Sequence, residues 1–489
     1  MAGKLSSAQT KVVNHPFFLP LPTMSKIKKN FILPDLEVVD ISTEGKAIAK
    51  SQGLVVFIEG AVPGDVVDVM VHRKKNSYAE GKVHTFKKYS AHRVKPKCPH
   101  FGTCGGCKWQ DLSYVQQLFY KQKYVLDAFT RIGKLDFDQI SPIKGNASEY
   151  FYRNKLEFSF SNKRWLTKEE MDGEVANKNA LGFHIPGLFD KVLDIHECHL
   201  QNELSNEIRN AVRKYALEKD LTFIDIRNKG GFLRTLMIRT TSTGETMVVL
   251  AVYDWLDKEL FELLEFLKVK FPQITSLQYV HSNKANDTLS GLDIRTYSGK
   301  DHIEEEMEGL KFRISARSFY QTNSIQAYEL YKITREFAGL TGNDIVYDLY
   351  TGTGTIANFV SRHAKKVVGV EYVEDAVVDA RINASANGIN NTVFYSGDMK
   401  DVLNDEFIGK NGKPEVIITD PPRAGMHEDV IKVMLNASPR KIVYVSCNPS
   451  TQARDLALMQ EQYKIKKIQP VDMFPQTAHV ENVVLLVKR

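Results

Sequence analysis

The sequence predicts a multidomain α/β protein with a small N-terminal β-barrel, a central α+β unit and a C-terminal unit of alternating helices and strands. Three observations carry that division. Short β-branched runs between glycine turns fill residues 36–88, a glycine-rich loop with three cysteines follows at 98–107, and helix–strand alternation begins near residue 325. With 489 residues, 43% apolar and 25% charged, the chain has ordinary globular composition and the length of about three domains. No stretch approaches the apolar run that a membrane-spanning helix needs, and the first 23 residues lack a secretory signal pattern. A cytoplasmic location with no membrane partner is the expectation. Met24 opens MSKIKKNFILP as a natural start would, and residues 1–31 are assigned to a flexible N-terminal extension.

The runs LEVVDIS, KAIAK, LVVFIEG, DVVDVMVHR and AEGKVHTF, punctuated by Gly45, Gly53, Gly60, Pro63-Gly64 and Gly81, predict a compact β-barrel over residues 32–92. Charge concentrates at this end. The whole chain is +6, yet residues 1–97 hold 16 Lys/Arg against 8 Asp/Glu, which leaves the rest near −2. Such a patch attracts a polyanion before any specific contact forms. Basic residues cluster at 73–75 and 87–97 with Tyr78, Phe86 and Tyr89 between them, a mixture suited to phosphates and stacked bases. Charge alone leaves a solvated loop face as the alternative. The stretch EGAVPGDVVDVMV resembles the TRAM domain, an OB-like RNA-binding module.

The segment KCPHFGTCGGCKWQ spaces Cys98, Cys104 and Cys107 as C-x5-C-x2-C in a loop whose glycines allow three thiolates to converge. In a reducing compartment this suggests metal or catalysis before disulfides. Cys198, in DIHECHL, is the nearest candidate for a fourth ligand, but ninety intervening residues keep spacing from establishing it. An iron–sulfur cluster, a structural zinc (with His196 or His199 in place of one thiolate) and inert thiols all remain open. The C-x3-C-x2-C loop of radical enzymes does not match. Next, Val115, Leu118, Phe119, Val125, Leu126 and Phe129 predict a helix over 113–132, capped by Ser113 and stopped by Gly133. Residues 150–300 mix strands with helices at 201–217 and 257–269, so 93–310 is assigned to a central α+β domain whose chemistry is not legible.

The C-terminal domain, 311–489, predicts a parallel sheet that binds ligands beyond its strands' carboxyl ends. Strand DIVYDLY runs into the loop TGTGT (351–355), and strand KKVVGVEY carries Glu371 at its end. The turn Gly352-x-Gly354 permits close backbone approach, and the missing third glycine disfavours a dinucleotide. A carboxylate placed to accept from ribose hydroxyls then suits an adenosine ligand without pyrophosphate, such as S-adenosylmethionine (SAM). At the same edge lie Asp420-Pro421-Pro422-Arg423, Ser446-Cys447-Asn448-Pro449 and His479-Val480-Glu481-Asn482. One thiol and one carboxylate beside a SAM site suit uracil chemistry. A thiolate adding at C6 makes C5 nucleophilic enough to take a methyl group, and a base then removes the C5 proton. A helix N-terminus or polar neighbours are expected to favour the Cys447 thiolate.

DLYTGTGT, DPPRAG, VSCNPST and HVENVVLL, with the basic barrel and the cysteine loop, resemble the RNA (uracil-5-)methyltransferase family from about residue 32 to 489. The nearest likeness is to its iron–sulfur branch, the RlmD type acting on 23S rRNA. That resemblance implies Cys447 as nucleophile, Glu481 as proton acceptor, and a [4Fe–4S] cluster on Cys98, Cys104, Cys107 and Cys198. The family's SAM-binding positions fall on Gln321, Tyr350, Thr355, Glu371, Asp398 and Asp420, and Asp420 could equally orient the uracil. Thr351 stands where many relatives carry Cys. RNA is the implied partner of a monomeric enzyme, with 23S rRNA first and the T-loop uridine of tRNA as the alternative. A non-catalytic RNA-binding or ribosome-assembly protein is the reading from another class, and the joint presence of Cys447 and Glu481 argues against it.

Overall fold

The computed structural model describes residues 31–166, 168–171 and 177–489. The extension assigned to 1–31 lies outside the described residues up to position 30, and Phe31 already opens the first strand. Strands β1 (Phe31–Ile41), β2 (Ala47–Ser51), β3 (Leu54–Glu59), β4 (Val66–Lys74) and β5 (Tyr78–Lys88) close into a barrel in the order β1-β2-β3-β5-β4. Alternation sends Val38, Ala49, Val56, Val67 and Val69 inward. Pro34 has no N–H for the ladder, and the β1–β4 register shifts between Leu33 and Leu36 beside it.

The central sheet holds β6 (Lys155–Ser161), β7 (Ala180–Ile185), β8 (Leu188–Asp194), β9 (Leu233–Thr240), β10 (Thr246–Val252), β11 (Ser276–His281) and β12 (Ile294–Gly299), in the order β12-β11-β10-β9-β6-β7-β8. It is antiparallel except for the β10–β11 pair. Helices Glu203–Glu218 and Asp257–Lys270 cover one face and share a core with it. A hairpin, β13 (Ile303–Met307) and β14 (Leu310–Ile314), which sequence pattern did not announce, then packs against the C-terminal domain.

That domain is built on β15 (Ile345–Leu349), β16 (Lys366–Glu371), β17 (Thr392–Ser396), β18 (Val416–Thr419), β19 (Lys441–Ser446), β20 (Tyr463–Val471) and β21 (Glu481–Lys488), ordered β17-β16-β15-β18-β19-β21-β20. Five strands are parallel, whereas β21 and β20 add an antiparallel edge that helix–strand alternation did not foretell. Val346, Val367, Ile418 and Val443 point to one buried layer, and Tyr347, Val368, Ile417 and Ile442 to the other. Both faces are therefore covered, as a parallel sheet requires.

The helix expected over 113–132 runs from Tyr114 to Asp127 and widens into a π-turn over Ala128–Ile132. Ser113 does not cap it through its side chain; only its carbonyl accepts, from Gln116 and Gln117. The buried face also differs from the apolar stripe. Val115 and Phe119 are 73% and 56% exposed, whereas Gln117 and Lys121 are fully buried. The helix faces the segment 472–476, and the Asp472 and Gln476 side chains there call for hydrogen-bonding partners at its inner positions.

Candidate active site

Strand register gathers the predicted residues at one edge. Ser446 on β19 pairs with Asn482 on antiparallel β21, so the next positions outward, Cys447 just past β19 and Glu481 at the start of β21, fall side by side despite their distance in sequence. Leu349 pairs with Thr419 and with Val370, which sets Tyr350, Asp420 and Glu371 side by side on the parallel strands. Glu371 pairs with Ser396, placing Asp398 just beyond the same edge, where it caps the turn Met399–Val402. Thr355 opens helix Thr355–Val360 at the end of the glycine loop, and its hydroxyl lies 3.2 Å from that of Thr353. Gln321 comes from the segment before helix Ser324–Ala338. The Phe319 carbonyl of that segment accepts from Thr353 at 3.4 Å, and Gln321's own carbonyl accepts from Asn154 at 2.9 Å.

The loop has the shape of a ligand cradle. Gly352 and Gly354 sit at φ 55° and 73°, in the left-handed region. A Cβ on Gly354 would meet Ala380 at 2.8 Å, but one on Gly352 would enter open space. Glu371 turns one carboxylate oxygen to the Gly352 N–H and the other to the Val373 N–H, both at 3.0 Å. Tyr350 adopts φ 61° to make the sharp exit from β15. Thr351 donates to Asp348 at 2.5 Å. A bare glycine face, an anchored acid and a hydroxyl-bearing helix start fit SAM.

Cys447 and Glu481 line a cavity of about 450 Å³ together with Arg423, His479, Arg153 and Thr322. Burial, with Asp420 adding its charge, pushes the Glu481 carboxyl up to about 8. Burial likewise raises Asp420 to about 7, with Asp348 behind it. The expectation of a favoured thiolate is corrected here. Burial first, then the Glu481 and Asp420 carboxylates, drive Cys447 up to about 12, against which Arg423 and a backbone N–H weigh little. His479 is pushed down to about 4 by burial and by the cations around it, Arg423 foremost, so it is a neutral imidazole.

The segment before β21 is bolted in place. Lys121 and Asp472 form a fully buried ion pair, Tyr114 donates to the same carboxylate at 2.9 Å, and Tyr152 donates to the Pro475 carbonyl at 2.8 Å. The Gln476 carbonyl accepts from the N–H groups of Lys108 and Trp109, at the end of the cysteine loop. Gln476 and Gln117 exchange side-chain and backbone bonds at 2.9 and 2.8 Å. Sequence reasoning quoted Arg423 and His479 inside motifs without assigning them roles. It missed Arg153, Lys121 and Gln117, which stand in no motif.

Cys98, Cys104, Cys107 and Cys198 line the same cavity as Cys447. Gly105 makes the approach possible, because a Cβ there would meet Pro186 of the β7–β8 turn at 2.5 Å. The Cys98 N–H is held by Gln110 at 3.0 Å and that of Cys198 by Asn206 at 2.9 Å. Burial, reinforced by the other thiols, raises Cys104 to about 11 and Cys107 to about 12, and burial raises Cys98 and Cys198 as well. With no cation among them, cysteines so buried stay neutral thiols. No group of three or more His, Cys, Asp or Glu among the described residues is drawn together tightly enough for a single metal ion. All four are instead spread along the wall of that cavity.

The barrel keeps some charge free. Arg73, Lys46 and Lys87 are paired with Glu80 or Asp68, but Lys74 and Lys75 are exposed, make no ion pair among the described residues, and lie over the rings of Phe31 and Tyr78. Tyr89, 65% exposed, stacks on Phe86 at 4.6 Å. No helix among the described residues is long and apolar enough to cross a membrane.

Comparison with known proteins gives a consistent picture. Residues 240–489 match the family described as tRNA (Uracil-5-)-methyltransferase, and residues 35–84 match the TRAM domain. A Bacteroides thetaiotaomicron protein named "Uncharacterized RNA methyltransferase" is 60% identical over 91% of this chain and 99% of its own length. One of the same description from Chlorobaculum tepidum is 42% identical over 92% and 95%. Among solved structures, the Pyrococcus abyssi tRNA (uracil-54, C5)-methyltransferase in complex with S-adenosyl-L-homocysteine is 26% identical, with a TM-score of 0.72 over 92% of this chain and 99% of that one.

Proposed function

The chain belongs to the tRNA (uracil-5-)-methyltransferase family and is a SAM-dependent RNA uracil-5 methyltransferase, and from that premise we propose that Cys447 and Glu481 perform the chemistry on a uridine of 23S rRNA. The observation that carries the catalytic assignment is the register that turns both side chains into one cavity beside the glycine loop. Cys447 rests as a thiol. Its proton passes to solvent water as sulfur bonds to C6 of the uracil and the ring electrons move onto the C4 oxygen. Gln321, Tyr350, Thr355, Glu371 and Asp398 would hold SAM, which would supply the methyl group to C5 of this adduct and leave as S-adenosylhomocysteine. Glu481 in its ionised form then removes the C5 proton, the C5–C6 double bond re-forms and the Cys447 sulfur departs. Asp420 neighbours both Glu481 and Cys447 electrostatically, which supports a role in orienting the uracil over one in holding SAM. C6 is shielded within a base stack, so the uridine must be unstacked or flipped into the cavity. Lys74, Lys75 and the Tyr89 platform then grip flanking RNA.

For the cysteine loop we propose a [4Fe–4S] cluster on Cys98, Cys104, Cys107 and Cys198. Four cysteines brought to one cavity supply the all-thiolate donor set that such a cluster takes. The methyl transfer moves no electrons, so the group would shape the cavity wall. Likeness of the loop and motifs to the iron–sulfur branch supports 23S rRNA. The tRNA T-loop is the second reading, favoured by the P. abyssi likeness. A cytoplasmic monomer completes the proposal. Mapping 5-methyluridine in rRNA and tRNA from a strain lacking the gene tests the target. Loss of one 23S rRNA site is expected, and loss confined to tRNA would overturn the rRNA assignment.

A further inference from the structure

Phe151 stands just before β6 with φ 57°, in the left-handed region, where a bulky side chain strains the backbone and glycine does not. Among the described residues only one other aromatic, Tyr350, shares that region, and it makes the exit from β15. The chain is pinned on both sides of Phe151. Its own N–H donates to the His199 carbonyl at 2.8 Å, and that of Arg153 donates to the Leu200 carbonyl at 2.7 Å. Packing does not explain the ring, which is 46% exposed and joins none of the apolar cores of the described residues. Exposure alone carries nothing, since Phe119 and Phe189 are more exposed on ordinary helix and strand backbone. What sets Phe151 apart is a strained backbone kept for an exposed ring beside the active-site cavity.

His199 and Arg153 line the cavity that holds Cys447 and Glu481. The Phe151 ring meets the His199 ring edge-on at 5.9 Å, and Tyr150 meets the same ring at 6.5 Å. Lys97 Nζ lies over both aromatics, 4.5 Å from the Phe151 centroid and 5.2 Å from that of Tyr150. Lys97 is exposed and makes no ion pair among the described residues. Aromatic faces under an unpaired cation suit a nucleotide, which offers a base to stack and a phosphate to pair. We infer that Phe151, with Tyr150 and Lys97, is a stacking platform for the base of a nucleotide adjoining the target uridine, with Lys97 on its phosphate. This rests on the methylation of an RNA uridine at the Cys447 cavity. Flipping a uridine into that cavity takes a stacking partner from its neighbour, and a ring fixed beside the cavity replaces it. The Lys97 ammonium moves from ring to phosphate as the base arrives, because a cation over an exposed ring is held more weakly than a stacked base.

The test measures methyl transfer from labelled SAM to unmodified total RNA from a strain lacking the gene, which contains the target whichever RNA carries it. Phe151→Gly removes the ring and suits the left-handed backbone, Phe151→Tyr keeps the ring, and Lys97→Ala removes the charge. SAM affinity is measured by calorimetry on each preparation. Phe151→Gly is expected to raise the KM for RNA about tenfold, the size of one base–aromatic stack, with kcat and SAM affinity retained. Phe151→Tyr is expected to match wild type. Lys97→Ala is expected to lower the slope of log kcat/KM against log salt by about 0.7, the share of one single-strand phosphate, and Phe151→Gly to leave that slope alone. An unchanged KM in Phe151→Gly, an equal loss in Phe151→Tyr, a loss shared by SAM binding, or an unaltered slope in Lys97→Ala would overturn the inference. Wild-type protein that methylates no uridine in that RNA would overturn the function itself, before any variant is compared.

Discussion

Glu481→Gln isolates one buried charge. Burial and Asp420 raise this carboxyl from 4.5 to about 8. Between those values the folded protein holds a proton that the unfolded chain has released, so stability falls as pH rises through the window and levels off above it. At tenfold per pH unit, a rise from 4.5 to about 8 is worth about 5 kcal/mol by pH 8. For a domain of this size that is on the order of 10 °C in melting temperature. Gln has nearly the same shape and no such titration. Asp420 and Asp348, each raised to about 7 mainly by burial, act in the same direction but remain in both proteins, so the difference reports Glu481 together with its coupling to Asp420. Thermal melts from pH 5 to 9 should show the two proteins together at pH 5 and the variant melting higher at pH 8.5. The same variant, unable to take the C5 proton, should accumulate an RNA–protein adduct on a denaturing gel. Parallel melting curves would refute the buried-carboxylate reasoning, and normal turnover without adduct would remove Glu481 from the reaction.

Cys447 carries its own pH signature. With the thiol at about 12, roughly one molecule in ten thousand is thiolate at pH 8, so iodoacetamide labelling of the Cys447 peptide, followed by mass spectrometry, should climb steadily from pH 7 to 10. A plateau below pH 9 would contradict the burial argument. Lys121→Met strands the buried Asp472 carboxylate and should cost about 3–5 kcal/mol in denaturant unfolding, with much of it recovered when Asp472→Asn is added; an unchanged midpoint would show that the pair is not a bolt. Replacing Lys74 and Lys75 by Ala should lower the salt slope of RNA binding by about 1.4 if each meets one single-strand phosphate, and an unaltered slope would remove the barrel as an RNA grip.

Period-two alternation and glycine turns made the barrel legible, and Gly352, Glu371, Cys447 and Glu481 each announced themselves at a strand end. What stayed hidden depended on partners far along the chain. The inner face of helix Tyr114–Asp127 could not be found by apolar period, because Gln117 and Lys121 answer to Gln476 and Asp472, more than 350 residues away. The edge strand β20 alternates Lys with Ile and reads as a solvated segment until β21 supplies its ladder. The environment of Cys447 was misjudged for a related reason. Sequence shows the helix start beside it, but only the register places two carboxylates against the sulfur.

Cys447→Ala offers the most direct measurement of all, read as transfer of labelled methyl from SAM to uridine C5, with SAM and RNA binding determined on the same preparation. Loss of transfer with both affinities retained is the expected result. Full methyl transfer by that variant would contradict the assignment of the nucleophile, and with it the account of the site.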